Sequence, residues 1–269
     1  MAQNILFLGC GKMGSILAKN LLEEKTALPS QIKVIKQSEK NRIPALKYFK
    51  NSLELPKNYQ ADLVFLAIKP QDSEEILREF SQSQIFHPKT IFISILAGKK
   101  IEFFEKIFGK KSKIVRSMPN LPIQDSQGIF TYFCNQNIKE TESKKLKKIF
   151  LKFGSILKLP NENLFDAATA IFASGPAYIF LLEEIFTEIA LTYKVSKSEA
   201  ADLTRQLFLG SSLMSCNSNL DFSELRESVT SKNGTTAAAL EVLQKDSALK
   251  NLLKTAIDCA VKRSQELSK

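Results

Sequence analysis

Short apolar runs alternate with helix-type spacing over the first 160 residues, and this alternation limits the folds open to the chain. Several runs contain no polar residue, which is typical of strands buried on both faces of a sheet. Such strands with helices between them predict a mainly parallel, doubly wound α/β sheet, whose last one or two strands could run antiparallel. The predicted strands are Ile5–Leu8, Ile32–Ile35, Leu63–Ile68, Ile91–Leu96, Ile114–Met118, Ile129–Phe133 and Ile156–Leu159.

After Pro160 the strand pattern stops and helical spacing continues to the end of the chain. The change predicts two domains, a sheet domain over residues 1–160 and an all-helical domain over residues 161–269. The predicted helices of the second domain are Leu164–Phe172, Ala177–Tyr193, Lys197–Met214, Phe222–Ser228, Ala237–Leu243 and Ser247–Leu267.

A glycine motif, GxGxxG over residues 9–14, lies between the first predicted strand and the helical pattern Ile16–Leu22. In this context the first glycine makes a tight turn, the second lets pyrophosphate approach the backbone, and the third packs helix on strand. The motif therefore predicts a Rossmann-type dinucleotide site. The alternative is a glycine turn in a βαβ unit that binds nothing.

The stretch after the second predicted strand bears on which dinucleotide binds. An NAD site usually has an acidic residue about 20 residues beyond the glycines, to hold the ribose 2′-hydroxyl. This chain instead offers cationic and hydroxyl side chains that could hold a 2′-phosphate, namely Lys36, Ser38, Lys40 and Arg42. The pattern favours NADPH, while a loop of solvated lysines is an alternative and Glu39 keeps NADH possible.

Further loops follow the later predicted strands at the edge where open α/β sheets bind ligands. One predicted strand ends at Ala67-Ile68-Lys69-Pro70, and the next ends at Ile95-Leu96-Ala97-Gly98. The loop Arg116–Pro122 contains two prolines that fix an extended turn. Several such loops together predict a binding rim.

Residues 229–240 place small hydroxyl side chains directly before a predicted helix. Asn233-Gly234 is a turn signal, so the helix begins near Thr235. Its first N–H groups suit a carboxylate, and the hydroxyls of Ser231, Thr235 and Thr236 add donors. The stretch predicts a site for a small acid, and an ordinary helix cap is the alternative.

Composition excludes several other classes of protein. The chain is 44% hydrophobic and 25% charged, which is typical of a soluble globular protein, and its net charge of +10 is spread along the sequence rather than clustered for nucleic acid. The cysteines Cys10, Cys134, Cys216 and Cys259 have no CxxC spacing, which favours reduced thiols in the cytoplasm over disulfides or zinc. No stretch is expected to approach transmembrane length, and neither a metal nor a membrane partner is predicted.

Five segments together resemble the pyrroline-5-carboxylate reductase family over essentially the whole chain: FLGCGKMG, AIKP, RSMPNLP, ASGPAY at Ala173–Tyr178 and ESVTSKNGTT at Glu227–Thr236. The resemblance implies reduction of 1-pyrroline-5-carboxylate to L-proline with NADPH or NADH, the last step of proline biosynthesis. It also implies a Rossmann domain followed by a helical dimerisation domain, assembled as a homodimer or a larger oligomer of dimers.

The same resemblance implies roles for residues at matching positions. The pyrophosphate turn comprises Gly9, Gly11, Lys12, Met13 and Gly14, Asn51 lies near the adenosine, and Ala67, Lys69, Pro70 and Ala97 flank the cofactor. The substrate residues are Ser231, Gly234, Thr235 and Thr236. Ser231 and the amides of 234–236 would hold the carboxylate, and the Thr236 hydroxyl would face the imine nitrogen. The family usually has SPGGTT where this chain has SKNGTT.

Two other functions are compatible with the same fold. A non-enzymatic NADP-binding regulator would explain the altered SKNG turn. A related imine or hydroxyacid reductase would share the glycine motif, but hydroxyacid enzymes need a catalytic lysine on the long helix Ala177–Tyr193, which carries Glu183, Glu184 and Glu188 instead. His87 precedes Pro88 in a polar loop and is predicted to lie on the surface.

Overall fold

The computed structural model describes residues 3–40 and 42–268, which form two compact units. The first, here called the sheet unit, extends to Ser174 and includes the chain again from Ala260. The second, the helical unit, is Gly175–Cys259. The chain therefore leaves the sheet unit once and returns to it near its end.

The described residues of the sheet unit form one eight-stranded sheet in the order β3-β2-β1-β4-β5-β6-β7-β8. Its strands are β1 Ile5–Leu8, β2 Ile32–Ile35, β3 Lys47–Phe49, β4 Leu63–Leu66, β5 Ile91–Ser94, β6 Lys113–Pro119, β7 Gly128–Cys134 and β8 Gly154–Lys158. Neighbours pair in parallel throughout except at β6 and β7, which are antiparallel. The predicted α/β sheet is confirmed, and its last two strands are the reversed ones.

Helices cover both faces of this sheet, which explains the uninterrupted apolar strands. They are α1 Lys12–Glu23, α2 Ser73–Ser81, α3 Ile101–Phe108, α4 Glu140–Phe150 and the short α5 Phe165–Ala168. β1, β4 and β5 are buried at every residue, and the stacked rings of Phe7 and Phe65 lie 4.7 Å apart in the core. One core lies against α1 and α4, and the other against α2 and α3.

The edge strand β3 was not predicted from sequence. It has only three residues, Lys47 is exposed, and the other two are half-buried. A strand of this kind carries neither an apolar run nor a clear alternation, because its outer edge faces solvent.

The helical unit consists of α6 Gly175–Thr192, α7 Lys197–Cys216, α8 Phe222–Ser228, α9 Thr235–Gln244 and the first part of α10 Ala248–Leu267. Each corresponds to a predicted helix. Side-chain caps explain two of the starts, since Ser196 accepts from the Glu199 N–H and Asp221 accepts from the first turn of α8. In the fully described range 175–259, only Ala200 and Thr204 are buried.

The division between the units falls later than the predicted boundary at residue 160. Phe165 is 1% exposed and Ala168 is also buried, both in a small core with Leu159. This packing keeps α5 and the turn after it with the sheet, so the observed break is between Ser174 and Gly175.

A π-helical turn, Thr169–Ala173, precedes α6. The Ser174 N–H donates to the Thr169 carbonyl at 3.0 Å, five residues back. Pro176 has no N–H to give the Phe172 carbonyl its usual helical bond, and the Asn120 Nδ2 donates to that carbonyl instead, at 3.1 Å. A side chain from the loop after β6 thus satisfies the backbone where the helix is irregular.

The expectation that no stretch approaches transmembrane length was wrong. Among the described residues, the helical run Glu162–Thr192 has 31 residues and a mean hydropathy of 1.4 in its best window, which suffices by length and composition. Only 17% of that window is buried. A single helix of this kind is weak evidence for a membrane, because core and interface helices have the same composition.

Candidate cofactor and substrate site

The first glycine of the motif lies where β1 turns against the end of β4. Gly9 has φ +78°, and a Cβ built on it would lie 2.7 Å from the Ala67 carbonyl oxygen. Its N–H donates to the Ile35 carbonyl at 2.9 Å. Only glycine can hold this left-handed turn so close to the neighbouring backbone.

The other two glycines differ in what surrounds them. A Cβ on Gly14 would lie 3.0 Å from the Ala67 Cβ, so this glycine allows α1 to pack on β4. A Cβ on Gly11 would meet no protein atom within 4 Å. Protein packing therefore does not require glycine at this position, and the open space fits a pyrophosphate lying against the backbone.

The start of α1 is suited to an anion. Gly11 precedes the helix without a side-chain cap, and the first turn has no acidic residue. The unpaired N–H groups and the positive end of the helix dipole therefore remain available to a phosphate. Lys12 is exposed at the first helical position, whereas Met13 is partly buried against the core.

Lys36 adds positive charge directly to the glycine turn. Its ammonium donates to the Cys10 carbonyl at 2.6 Å and also to the Lys40 carbonyl. The Cys10 thiol is buried, and burial raises its pKa to about 11. It therefore stays neutral at physiological pH and does not oppose a bound phosphate.

The loop after β2 presents the remaining candidates for a 2′-phosphate. Ser38 is exposed, and its Oγ accepts from the Lys40 N–H at 3.2 Å, which leaves its proton free to bond elsewhere. Glu39 is paired with Arg42 at 2.7 Å, and the Arg42 guanidinium lies 4.8 Å from the centre of the Tyr48 ring. The only carboxylate of this loop is thus engaged by a cation.

The other predicted cofactor residues follow parallel strands, so they lie at the same edge of the sheet. The Ala67 N–H donates to the Leu8 carbonyl at 2.8 Å, which joins it to the glycine turn. Lys69 is exposed directly before the 3₁₀ turn Pro70–Asp72. Ala97 is exposed after β5.

Asn51 lies farther along this edge, after the outermost strand β3. Its Oδ1 accepts from the Leu53 N–H at 3.0 Å and caps a short 3₁₀ turn, and the residue is exposed. The structure gives it a local role, and its predicted contact with the adenosine stays a prediction.

The predicted substrate residues lie in the helical unit and form a tight turn. The Gly234 N–H donates to the Ser231 carbonyl at 3.1 Å, and Asn233 has φ +58°. Asparagine tolerates this left-handed angle better than most residues. A Cβ on Gly234 would lie 2.3 Å from the Ser231 Oγ, so the glycine makes room for this hydroxyl.

Helix α9 begins at Thr235, directly after the turn. It has no side-chain cap and no acidic residue in its first turn. Ser231, Thr235 and Thr236 are all exposed. Three hydroxyls and the free N–H groups of a ten-residue helix thus share one exposed turn, which suits a small carboxylate.

His87 is partly buried rather than on the open surface. Its Nε2 lies 3.3 Å from the Asp62 Oδ1, and Asp62 immediately precedes β4. This is the amino-end edge of the sheet, opposite the glycine turn. Among the described residues, no group of three His, Cys, Asp or Glu side chains is arranged to hold a metal ion.

Two polar residues of the rim were quoted from the sequence without a role. Asn120 is 5% exposed, and besides its bond to Phe172 its Oδ1 accepts from the Ile129 N–H at 2.7 Å. Arg116 is 2% exposed and bonds to Glu162 at 2.8 Å. The available signal was an arginine directly after the apolar pair Ile114-Val115 within a predicted strand, since a charged residue in such a strand is buried only with a partner.

Comparison with known proteins gives concordant matches. Residues 162–267 match the family model described as pyrroline-5-carboxylate reductase dimerisation, and residues 4–98 match the one described as NADP oxidoreductase coenzyme F420-dependent. A pyrroline-5-carboxylate reductase of Pseudomonas aeruginosa is 33% identical over 208 residues, which cover 77% of this chain and 75% of the relative.

Solved structures match over nearly the full length. A pyrroline-5-carboxylate reductase from Coxiella burnetii superposes with a TM-score of 0.88 at 30% identity, covering 100% of both chains. A Plasmodium falciparum pyrroline carboxylate reductase with NADP bound superposes with a TM-score of 0.87 at 28% identity, covering 99% of this chain and 98% of the other.

The different surroundings of Gly11 and Gly14 predict different effects of valine. Gly11→Val should leave the fold intact but fill the space for pyrophosphate, and losing one charge-assisted bond there corresponds to roughly 10–100-fold weaker dinucleotide binding. Gly14→Val should instead force α1 away from Ala67 and destabilise the protein by about 1–3 kcal/mol. NADPH titration and urea denaturation of both variants distinguish the effects. Equal loss of stability in both would contradict the assignment of Gly11.

Proposed function

The chain belongs to the pyrroline-5-carboxylate reductase family, and from this membership we propose which of its residues hold the two reactants. The enzyme reduces 1-pyrroline-5-carboxylate to L-proline, the last step of proline biosynthesis, and uses NAD(P)H. It has an N-terminal Rossmann-like domain and a C-terminal all-helical dimerisation domain. Because the chain is an enzyme of this family, the alternative of a non-enzymatic NADP-binding regulator does not apply.

The glycine turn and the rim loops are the proposed cofactor site. The open space at Gly11, the uncapped start of α1 and the ammonium of Lys36 at the turn support it. All three suit a pyrophosphate, because each favours negative charge near the backbone. The proposed residues are Gly9, Gly11, Lys12, Met13, Gly14, Lys36, Ser38, Asn51, Ala67, Lys69, Pro70 and Ala97.

The turn before α9 is the proposed substrate site, made of Ser231, Gly234, Thr235 and Thr236. The observation that carries this assignment is an exposed, uncapped helix start with three hydroxyls on it and no acidic side chain in its first turn. The positive end of the helix dipole stabilises a bound carboxylate, and no acidic side chain in the first turn repels its charge. The substrate of this family is a small cyclic imine that carries a carboxylate.

In the proposed mechanism, Ser231 and the amides of 234–236 fix the substrate carboxylate. The Thr236 hydroxyl donates a hydrogen bond to the imine nitrogen, which polarises the C=N bond. The nitrogen takes its proton from water when the imine carbon accepts the hydride. When bound, NAD(P)H supplies the hydride that adds to the imine carbon. The remaining contribution of the protein is to orient the two reactants, and no histidine or carboxylate is required.

A second copy of the chain is the proposed partner of the helical unit. The protein is an oligomer that acts on a small molecule, and we propose a homodimer, with larger oligomers built from dimers. Many large apolar side chains of α6 and α7 are exposed, among them Phe180, Leu181, Ile189, Leu203, Leu207 and Leu213. A partner chain covers such a face, and the dimerisation match over 162–267 favours a chain over a lipid bilayer.

Two further assignments complete the proposal. Residues 1–160 bind the dinucleotide, and residues 161–269 provide substrate binding and dimerisation, in line with a dimerisation match that begins at residue 162. We place the enzyme in the cytoplasm, without membrane or nucleic-acid partners. Its four cysteines are all free, which suits a reducing compartment.

We predict a preference for NADPH over NADH. The loop after β2 offers Ser38 and Lys40 near a 2′-phosphate, and a charge-assisted contact contributes ~1.5–3 kcal/mol, or roughly tenfold or more in kcat/KM. Lys40→Glu should reduce this preference. The matched control is Lys89→Glu, which makes the same charge change near His87 at the opposite edge. Equal or higher kcat/KM with NADH in the unmodified enzyme would refute the preference.

We predict that Thr236→Ala lowers kcat/KM for the imine and leaves NADPH affinity nearly unchanged. Loss of a positioned donor costs ~2.7 kcal/mol at the lower end of its range, or roughly 100-fold. Thr236→Ser keeps the hydroxyl and should retain most of the activity, while Ser231→Ala should mainly raise KM. Steady-state kinetics with both substrates test this. Unchanged turnover of Thr236→Ala would remove this helix start from the active site.

We predict that the active particle is at least a dimer and that salt does not dissociate it. An interface made of exposed apolar side chains does not depend on screened charges. Light scattering in moderate salt, with activity measured on the same sample, gives the mass. Active particles of the single-chain mass, 30.2 kDa, would contradict the dimer.

A further inference from the structure

The C-terminal end of α10 lies directly against one loop of the cofactor rim. This rim loop is Ala97–Lys100, between β5 and α3. Within it, Gly98 is buried with φ +76°, and a Cβ built on it would lie 2.2 Å from the Leu267 carbonyl oxygen. The last turn of the helix therefore occupies the space that a side chain at position 98 would need.

A hydrogen bond fixes this helix end to α5, within the sheet unit. The Ser264 Oγ donates to the Asp166 Oδ1 at 2.6 Å, and Asp166 lies on α5, 98 residues earlier in the chain. Asp166 is in turn 4.0 Å from the guanidinium of Arg116. The attachment thus reaches a fully buried arginine of strand β6.

The same arginine also fixes the far end of the rim loop. Arg116 Nη1 donates to Glu162 Oε1 at 2.8 Å, and its guanidinium lies 3.9 Å from the centre of the Phe165 ring. Glu162 Oε1 also accepts from the Ile101 N–H at 2.9 Å, at the first residue of α3. The rim loop is held by Leu267 at Gly98 and by Glu162 where it joins α3.

We propose that Ser264 and Leu267 are positioning residues for the cofactor, which hold the rim loop in order before NAD(P)H binds. This inference rests on the proposed cofactor site, of which Ala97 is part. A loop that is already ordered loses less conformational entropy on binding than a mobile one. The effect therefore falls on cofactor affinity, because neither residue belongs to the proposed substrate turn.

The first test is Ser264→Ala in the full-length oligomer. Releasing about one residue from its fixed backbone conformation corresponds to a roughly fivefold to thirtyfold higher Kd for NADPH. Hydrogen exchange at residues 97–101 should accelerate, whereas kcat at saturating NADPH and KM for the imine should stay unchanged. Ser81→Ala is the matched control, because the Ser81 hydroxyl bonds only to the Arg78 carbonyl of its own helix.

The second test compares alanine at two glycines with positive φ. Gly98→Ala strains the backbone and collides with Leu267, whereas Gly109→Ala, at φ +93°, strains the backbone with no atom within 4 Å. Gly98→Ala should weaken NADPH binding more than Gly109→Ala does. In a chain shortened to end at Glu266, Gly98→Ala should weaken NADPH binding no more than Gly109→Ala does, because the backbone strain remains but the collision is gone.

Two outcomes separate failure of this inference from failure of the proposed site. If Ser264→Ala accelerates exchange at residues 97–101 but NADPH does not slow it again in that variant, the rim loop is not part of the cofactor site. If Ser264→Ala and the shortened chain exchange and bind NADPH like the unmodified enzyme, the positioning role is refuted. Fully additive effects of Gly98→Ala and the shortening would refute the contact with Leu267.

Discussion

The close approach of the Gly9 turn to the end of β4 is the constraint on which the cofactor edge depends. Because the turn fits against Ala67, α1 must begin immediately afterwards, with its N-terminus over the ends of the strands. The third glycine then meets the same alanine from the helix side. The Gly9 bond to Ile35 and the Lys36 bond to Cys10 hold the end of β2 at this turn as well. One turn therefore joins three strand ends, and the second glycine is left facing open space.

The two units differ in how far they bury their hydrophobic side chains. The sheet unit buries its apolar strands between helices on both faces, so its core is complete within one chain. The helical unit buries almost nothing in itself and leaves large apolar side chains exposed along α6 and α7. Its stability therefore depends on burial against another surface, and residues 162–267 match a family model of a dimerisation domain. The same composition gives the helical run Glu162–Thr192, which includes α6, the length and hydropathy of a membrane-spanning helix.

What the sequence predicts well is what depends on local pattern. Strands buried on both faces give uninterrupted apolar runs, and so β1 and β2 were predicted to the residue. The Asn233-Gly234 pair predicted a turn followed by a helix, and α9 begins directly after that turn, at Thr235. Features set by distant partners were not predictable in this way. The edge strand β3 has no pattern of its own, the position of the break between units depends on how Phe165 packs, and the bond of Arg116 to Glu162 joins residues 46 positions apart.

The π-helical turn before α6 has a consequence for how the family can vary. An α-helix advances by about 100° for each residue, so a turn that holds one extra residue changes the direction in which every later side chain points. Removing one residue from Thr169–Ala173 would restore regular helix and turn the exposed apolar side chains of α6 by that angle, without altering its composition. Insertions and deletions in these five positions should therefore be tolerated far less than substitutions, since a change of phase redirects every side chain of α6 while a substitution affects one.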